Sequence, residues 1–92
     1  MLKPVYGIVV KDDSLSPEFP SGSVLIVQTD TWDEIEEDDL AVFPRGNGNH
    51  LGRVHFEGGK VRLESLKKGE EALLLGKRSL RRLERVLGVD FP

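Results

Sequence analysis

The stretch LGRVHFEGGKVRLESL, residues 51–66, decides the architecture. Two runs of alternating apolar and polar residues flank Gly58-Gly59, and adjacent glycines supply the positive φ angles that a two-residue type I′ turn requires. Such a turn sets the register: Glu57 faces Lys60, Phe56 faces Val61, Val54 faces Leu63 and Gly52 faces Ser65. Successive side chains point to opposite faces of a strand. Val54, Phe56, Val61 and Leu63 therefore share one face, while Arg53, His55, Glu57, Lys60, Arg62 and Glu64 share the other. The pattern is a half-buried antiparallel ribbon with Arg53 opposite Glu64. Exposed pairs of this kind contribute only a few tenths of a kcal/mol, roughly, to stability. Their main effect is to oppose a one-residue slip, which would turn every charge inward.

Outward from the hairpin, the chain reads as short strands separated by turn residues. Val5 to Val10 is a β-branched run. Val24 to Val27 and Leu40 to Phe43 are apolar at consecutive positions, as in strands buried on both sides. Leu83 to Phe91 reads as a final strand, with Gly88 marking a bulge or a close backbone approach. A short turn is expected before it, although Leu80, Leu83 and Leu87 fall at helical spacing. Asp12 to Gly22, with Pro17 and Pro20, is a loop, and Arg45-Gly46-Asn47-Gly48-Asn49 is a second, mobile one.

Ninety-two residues make one domain, residues 1–92. A net charge of -3, from 13 basic and 16 acidic residues, argues against a surface built to grip nucleic acid. There is no cysteine, no apolar run near the roughly 20 residues that span a bilayer, and no signal-peptide layout. A cytoplasmic protein without membrane contact is the expectation. A basic cluster (Lys77, Arg78, Arg81, Arg82, Arg85) and an acidic one (Asp33 to Asp39) read as solvated surface or as patches that pair across a subunit interface. His50 and His55 are too isolated for a ligand cluster and are expected on the surface. The acidic run Glu36 to Asp39 lacks a calcium-loop pattern, so no metal and no cofactor is expected.

Several segments, taken in order, carry a resemblance: Asp13-Ser14-Leu15-Ser16-Pro17, Ser21-Gly22-Ser23 before Val24, Asp38-Asp39-Leu40, Leu51-Gly52-Arg53-Val54, Lys60 to Ser65, and Leu87-Gly88-Val89. Together, over residues 5 to 91, they resemble the C-terminal domains of LexA-type and phage repressors, which are self-cleaving Ser-Lys peptidases. The resemblance implies a mainly β fold, a small, highly twisted, antiparallel and barrel-like sheet. It places the nucleophile on Ser14. The family's lysine, which takes the serine proton once burial has made it neutral, falls on Gly52. Glycine offers no base. The hairpin register excludes Lys60 and His55, which lie on the charged face, and leaves His50 and Lys11 as displaced alternatives. Asp12 stands where the family has glycine, and carboxylates at Asp12 and Asp13 disfavour an oxyanion.

The resemblance also implies a homodimer through the last strand, carried onto Leu83, Val86, Leu87, Val89 and Phe91. DNA would be reached only through an N-terminal helix-turn-helix domain outside this chain, which would then be the C-terminal part of a longer regulator. Three readings follow. The first is a catalytically inactive LexA-like domain that dimerises and regulates a transcriptional repressor. The second is an active serine-dependent self-cleaving domain with a displaced base. The third is a generic small β-barrel interaction module.

Overall fold

The computed structural model describes residues 2–46 and 48–92. Its strands are β1 (Val5–Val9), β2 (Val24–Gln28), β3 (Leu40–Arg45), β4 (Gly48–Glu57), β5 (Lys60–Ser65), β6 (Leu73–Leu75) and β7 (Glu84–Asp90). A 3-10 turn (Trp32–Glu34) follows β2, and one helical turn, α1 (Lys77–Leu80), precedes β7. All seven strands join one sheet in the order β1-β2-β7-β3-β4-β5-β6, with every neighbouring pair antiparallel. The sheet is open, with β1 and β6 at its two edges, and stops short of a closed barrel.

The central hairpin has the register its turn demands, from Glu57 opposite Lys60 to Gly52 opposite Ser65. Gly58 and Gly59 take φ of 53° and 81°, the left-handed values of the turn. Val54, Val61 and Leu63 are buried as the alternation requires, but Phe56 is 51 % exposed. The reason lies in the neighbouring strands. β3 pairs with β4 only as far as Leu40 opposite Arg53, so Phe56 has a strand on its β5 side alone, whereas Val61 is flanked on its other side by Leu75 of β6.

β3 explains its own consecutive apolar run. Ala41 and Phe43 face one core with Ile35, Val54, Val61, Leu63, Leu75 and Leu83. Leu40 and Val42 face a second core with Val10, Phe19, Leu25 and Val27. Each large side chain so buried contributes about 1.5–3 kcal/mol. β2 is different: Leu25 and Val27 are buried, but Val24 and Ile26 are only half-buried, so it is covered fully on one side alone.

β7 carries a bulge. Ile26 faces Gly88 while Val27 faces Val86, which leaves Leu87 as the extra residue. This turns Val86 and Val89 inward onto the second core and leaves Leu87 49 % exposed. Leu83, expected on a subunit interface, precedes the strand and is 2 % exposed inside the first core. The expected loop at Arg45 to Asn49 is also corrected. The β3–β4 ladder continues to Arg45 opposite Gly48, which reduces the connection to Gly46 and Asn47; Asn47 lies outside the described residues. β6, at three residues too short to show alternation, was not foreseen.

Candidate functional site

The loop between β1 and β2 is tied at its neck. Val10 N–H donates to the Ser23 carbonyl at 2.8 Å and Gly22 N–H to the Val10 carbonyl at 2.7 Å. Within the loop Phe19 is buried in the second core, its N–H donating to the Leu15 carbonyl at 3.0 Å. The Phe91 ring stacks on Phe19 at 6.5 Å, joining the end of the chain to this loop. Ser14 is held exposed at the loop surface by an Asx turn, its N–H donating to Asp12 Oδ1 at 2.9 Å. The Ser14 hydroxyl, followed by its N–H, holds the Asp12 carboxyl below the usual carboxylate range.

Ser14 opens onto a cleft of about 580 Å³ between this loop, the end of β1 and the turn after β5. Lys11, Leu15, Leu51, Ser65, Lys67 and Glu70 are among its walls. Ser65 Oγ donates to Glu70 Oε1 at 2.6 Å and accepts from Lys67 N–H at 3.1 Å. Behind Glu70, His50 Nδ1 lies 3.3 Å from Oε1. His50 is 3 % exposed, not a surface residue, because its pairing with Phe43 carries the ladder past it and turns it inward. Its Nε2 is buried and has no hydrogen-bond partner among the described residues, and His50 is not among those that line the cleft with Ser14.

Gly52, the position that the resemblance assigns to the lysine, is buried between Ala41 and Ser65. A Cβ at this position would lie 2.3 Å from the Glu64 carbonyl oxygen, 2.7 Å from its carbon and 3.2 Å from Leu63 Cγ. The two closest atoms are backbone, so no side chain enters here unless β4 and β5 part. The amines that do line the cleft, Lys11 and Lys67, are both exposed. Neither has the burial by which a lysine becomes a neutral base. The group bonded to Ser14 is instead a carboxylate of lowered pKa, a poor acceptor for a hydroxyl proton.

Lys67 and Glu70 were missed in the sequence. Their only local signal is Lys68-Gly69, where Gly69 takes φ of 80° and folds the chain back over β5. The other histidine also gains partners through the fold. His55 Nδ1 lies 2.9 Å from Glu37 Oε2 and 3.6 Å from Asp38 Oδ1, and Nε2 lies 3.8 Å from Glu64 Oε2. Among the described residues, Glu37, Asp38 and His55 form the one group of three such side chains that meets the spacing of metal ligands. Glu37 is already engaged: Oε1 accepts Phe56 N–H at 2.8 Å and Oε2 meets His55, contacts that lower its pKa in that order.

No curated protein and no solved structure matches the chain. A family model described as Peptidase S24-like matches residues 2–80. That span takes in the Ser14 loop, both strands of the central hairpin and the cleft between them. The mainly β, all-antiparallel sheet agrees with the match. With most of its length matched, this chain belongs to the Peptidase S24-like family, that of the LexA C-terminal and phage-repressor domains.

Proposed function

We propose that this domain keeps the S24 fold without self-cleavage and serves as the dimerising, regulatory part of a cytoplasmic transcriptional repressor. The observation that carries the reading is Gly52. The position of the general base holds no side chain, and its Cβ space is taken by the Glu64 carbonyl. A serine whose one bonded partner is a carboxylate of lowered pKa is not activated for attack. LexA-like domains typically dimerise, and one face of the sheet suits that role. On β1, Val5 and Val9 are 56 % and 54 % exposed, and they adjoin half-buried Val24 and Ile26 on β2 and exposed Leu87 in the β7 bulge. Of the residues expected from the resemblance, Leu87 lies on this face, while Phe91 stacks on Phe19 and stays 60 % exposed. DNA would be bound by a helix-turn-helix domain elsewhere in the protein, two of which on one dimer read half-sites at high effective concentration.

The test has two parts. The full-length protein is incubated at alkaline pH and analysed by mass spectrometry, beside Ser14→Ala. Identical, intact masses are expected, and cleavage that depends on Ser14 would overturn the inactive reading. Sedimentation then compares the wild type with Val9→Asp and Leu87→Asp. A wild-type dimer reduced to monomer by both variants is expected, and a wild type that is monomeric throughout removes the dimer role. An active enzyme with a displaced base has one observation in its favour: Lys67 shares the cleft with Ser14, and its charge reaches Asp12. On that reading any Ser14-dependent cleavage would vanish in Lys67→Ala.

A further inference from the structure

His55 and Glu37 stand 18 residues apart in the chain, and main-chain bonds bring them together. The segment that leads into β3 is laid along β4. Asp38 N–H donates to the Val54 carbonyl at 2.8 Å, and Val54 N–H donates to the Asp39 carbonyl at 2.9 Å. Phe56 N–H donates to Glu37 Oε1 at 2.8 Å, which leaves Oε2 turned toward His55. Glu37, Asp38 and His55 are thus placed by the sheet itself, on rigid backbone.

Three donor atoms converge there. His55 Nδ1 lies 2.9 Å from Glu37 Oε2 and 3.6 Å from Asp38 Oδ1, and the three atoms all lie within 4.8 Å of one another. Nitrogen and oxygen ligands held at about 2.0–2.1 Å from a tetrahedral zinc ion stand about 3.3 Å apart. Both measured separations are close to that edge, and the 75 % exposed Asp38 carboxylate can swing to close the third. The other ring nitrogen, Nε2, faces Glu64 Oε2 at 3.8 Å. A carboxylate behind the second nitrogen is what fixes the tautomer of a metal-bound imidazole and raises its basicity. Among the described residues no lysine or arginine pairs with the Glu37 or Asp38 carboxylate. Arg53 reaches the Asp38 carbonyl instead, and Arg62 pairs with Glu57 and Glu64. Three carboxylates around one imidazole keep a surplus of negative charge even when the ring is protonated. The imidazole at the centre favours transition ions over magnesium and calcium, which prefer oxygen alone.

We propose that His55, Glu37 and Asp38 bind one divalent first-row transition ion, with Glu64 orienting His55 from behind. The ion takes the Nδ1 lone pair. The one N–H of the ring is then on Nε2, toward Glu64, and a protonated ring releases one proton to solvent on binding. The bound ion pins the segment before β3 to the central hairpin. This site uses neither the Ser14 cleft nor the β1–β2–β7 face, so it does not rest on the repressor reading.

The experiment is calorimetric titration of the untagged, chelator-treated chain with zinc chloride, beside magnesium chloride, with near-UV circular dichroism to confirm that each variant folds. One zinc per chain is expected, bound at least about tenfold more tightly than magnesium and raising Tm. His55→Gln and Asp38→Asn should each weaken zinc at least about a hundredfold, and Glu64→Gln about tenfold. His50→Gln should leave zinc binding unchanged. Nitrogen NMR of the histidine rings should show zinc moving Nδ1 of His55 and sparing His50. Zinc and magnesium bound alike, with no effect of His55→Gln, would show an acidic surface that collects cations and would overturn the proposal. So would a chain that binds no zinc at millimolar concentration, or one whose binding is lost in His50→Gln and kept in His55→Gln.

Discussion

Gly52→Ala tests the steric argument at the centre of the site. The added Cβ would sit 2.3 Å from the Glu64 carbonyl oxygen, where 3.0 Å is the limit that Cβ atoms respect. β4 and β5 must therefore part by about 0.7 Å at this rung before the tightest tolerable contact is reached. Neither can retreat freely, because Ala41 backs Gly52 on β3 and Leu73 backs Leu63 on β6. Overpacking of this kind costs about 1–3 kcal/mol, and weakening a ladder hydrogen bond adds about 1. Alanine's smaller backbone entropy in the unfolded chain offsets about 0.5–1 kcal/mol. The net expectation is a loss of about 1–3 kcal/mol, or a fall in Tm of roughly 5–20 °C for a domain of this size. Urea denaturation and calorimetry measure it. Gly88→Ala is the control: no atom lies within 4 Å of its Cβ position, its φ is not positive, and it should change stability by less than about 1 kcal/mol. Equal stability of Gly52→Ala and wild type would refute the reasoning. So would a Gly52→Lys variant that is as stable as wild type and cleaves itself.

Three further outcomes are expected. Tyr6 is the one tyrosine of the chain, so its ultraviolet titration reads a single group. Burial, and then the hydrogen bond to Glu84 Oε1 at 2.6 Å, push its phenol well above the ordinary 10.0. The raised folded pKa means that this stabilisation is full below pH 10 and is lost as pH rises through the folded value; ionisation near 10 in the native protein would contradict it. Asp12 runs the other way, its stabilisation present above the ordinary 3.8 and lost as pH falls through the depressed folded value. Carbon-detected NMR of Ser14→Ala should show the Asp12 carboxyl titrating at higher pH than in wild type, and an unchanged midpoint would remove the Ser14 contact as its cause. His50→Leu removes a buried nitrogen that has no partner among the described residues and should lie within about 1 kcal/mol of wild type, because a lost orphan offsets a lost contact to Glu70; a loss above about 3 kcal/mol would show that Nε2 has a partner.

Much of the fold was legible because local rules decide it. Gly58-Gly59 admits one kind of turn, and that turn dictates every pair down to Gly52 opposite Ser65. The consecutive apolar run of β3 means burial on both faces, and the two cores supply it. The absence of a lysine at Gly52 was visible as well. The failures have physical causes too. Phe56 obeys the alternation but lies beyond the end of its neighbouring strand. Leu83, which the resemblance placed on a subunit interface, is buried in the first core by the turn before β7, and the bulge at Leu87 packs half-buried Val86 and Val89 against the second core.

The sequence by itself determined the hairpin and the strand character, since each depends on residues close together along the chain, and its resemblance to the family pointed to Ser14 and Gly52 as the positions to inspect. Only the tertiary structure decided that the Gly52 space is closed by Glu64, that His50 is buried behind Glu70, that Lys67 shares the Ser14 cleft, and that Trp32, Phe56 and Leu80 border one apolar groove. Those are relations between segments distant in sequence. They follow from which strands lie side by side, a choice made by the whole core at once and not by any single run of residues.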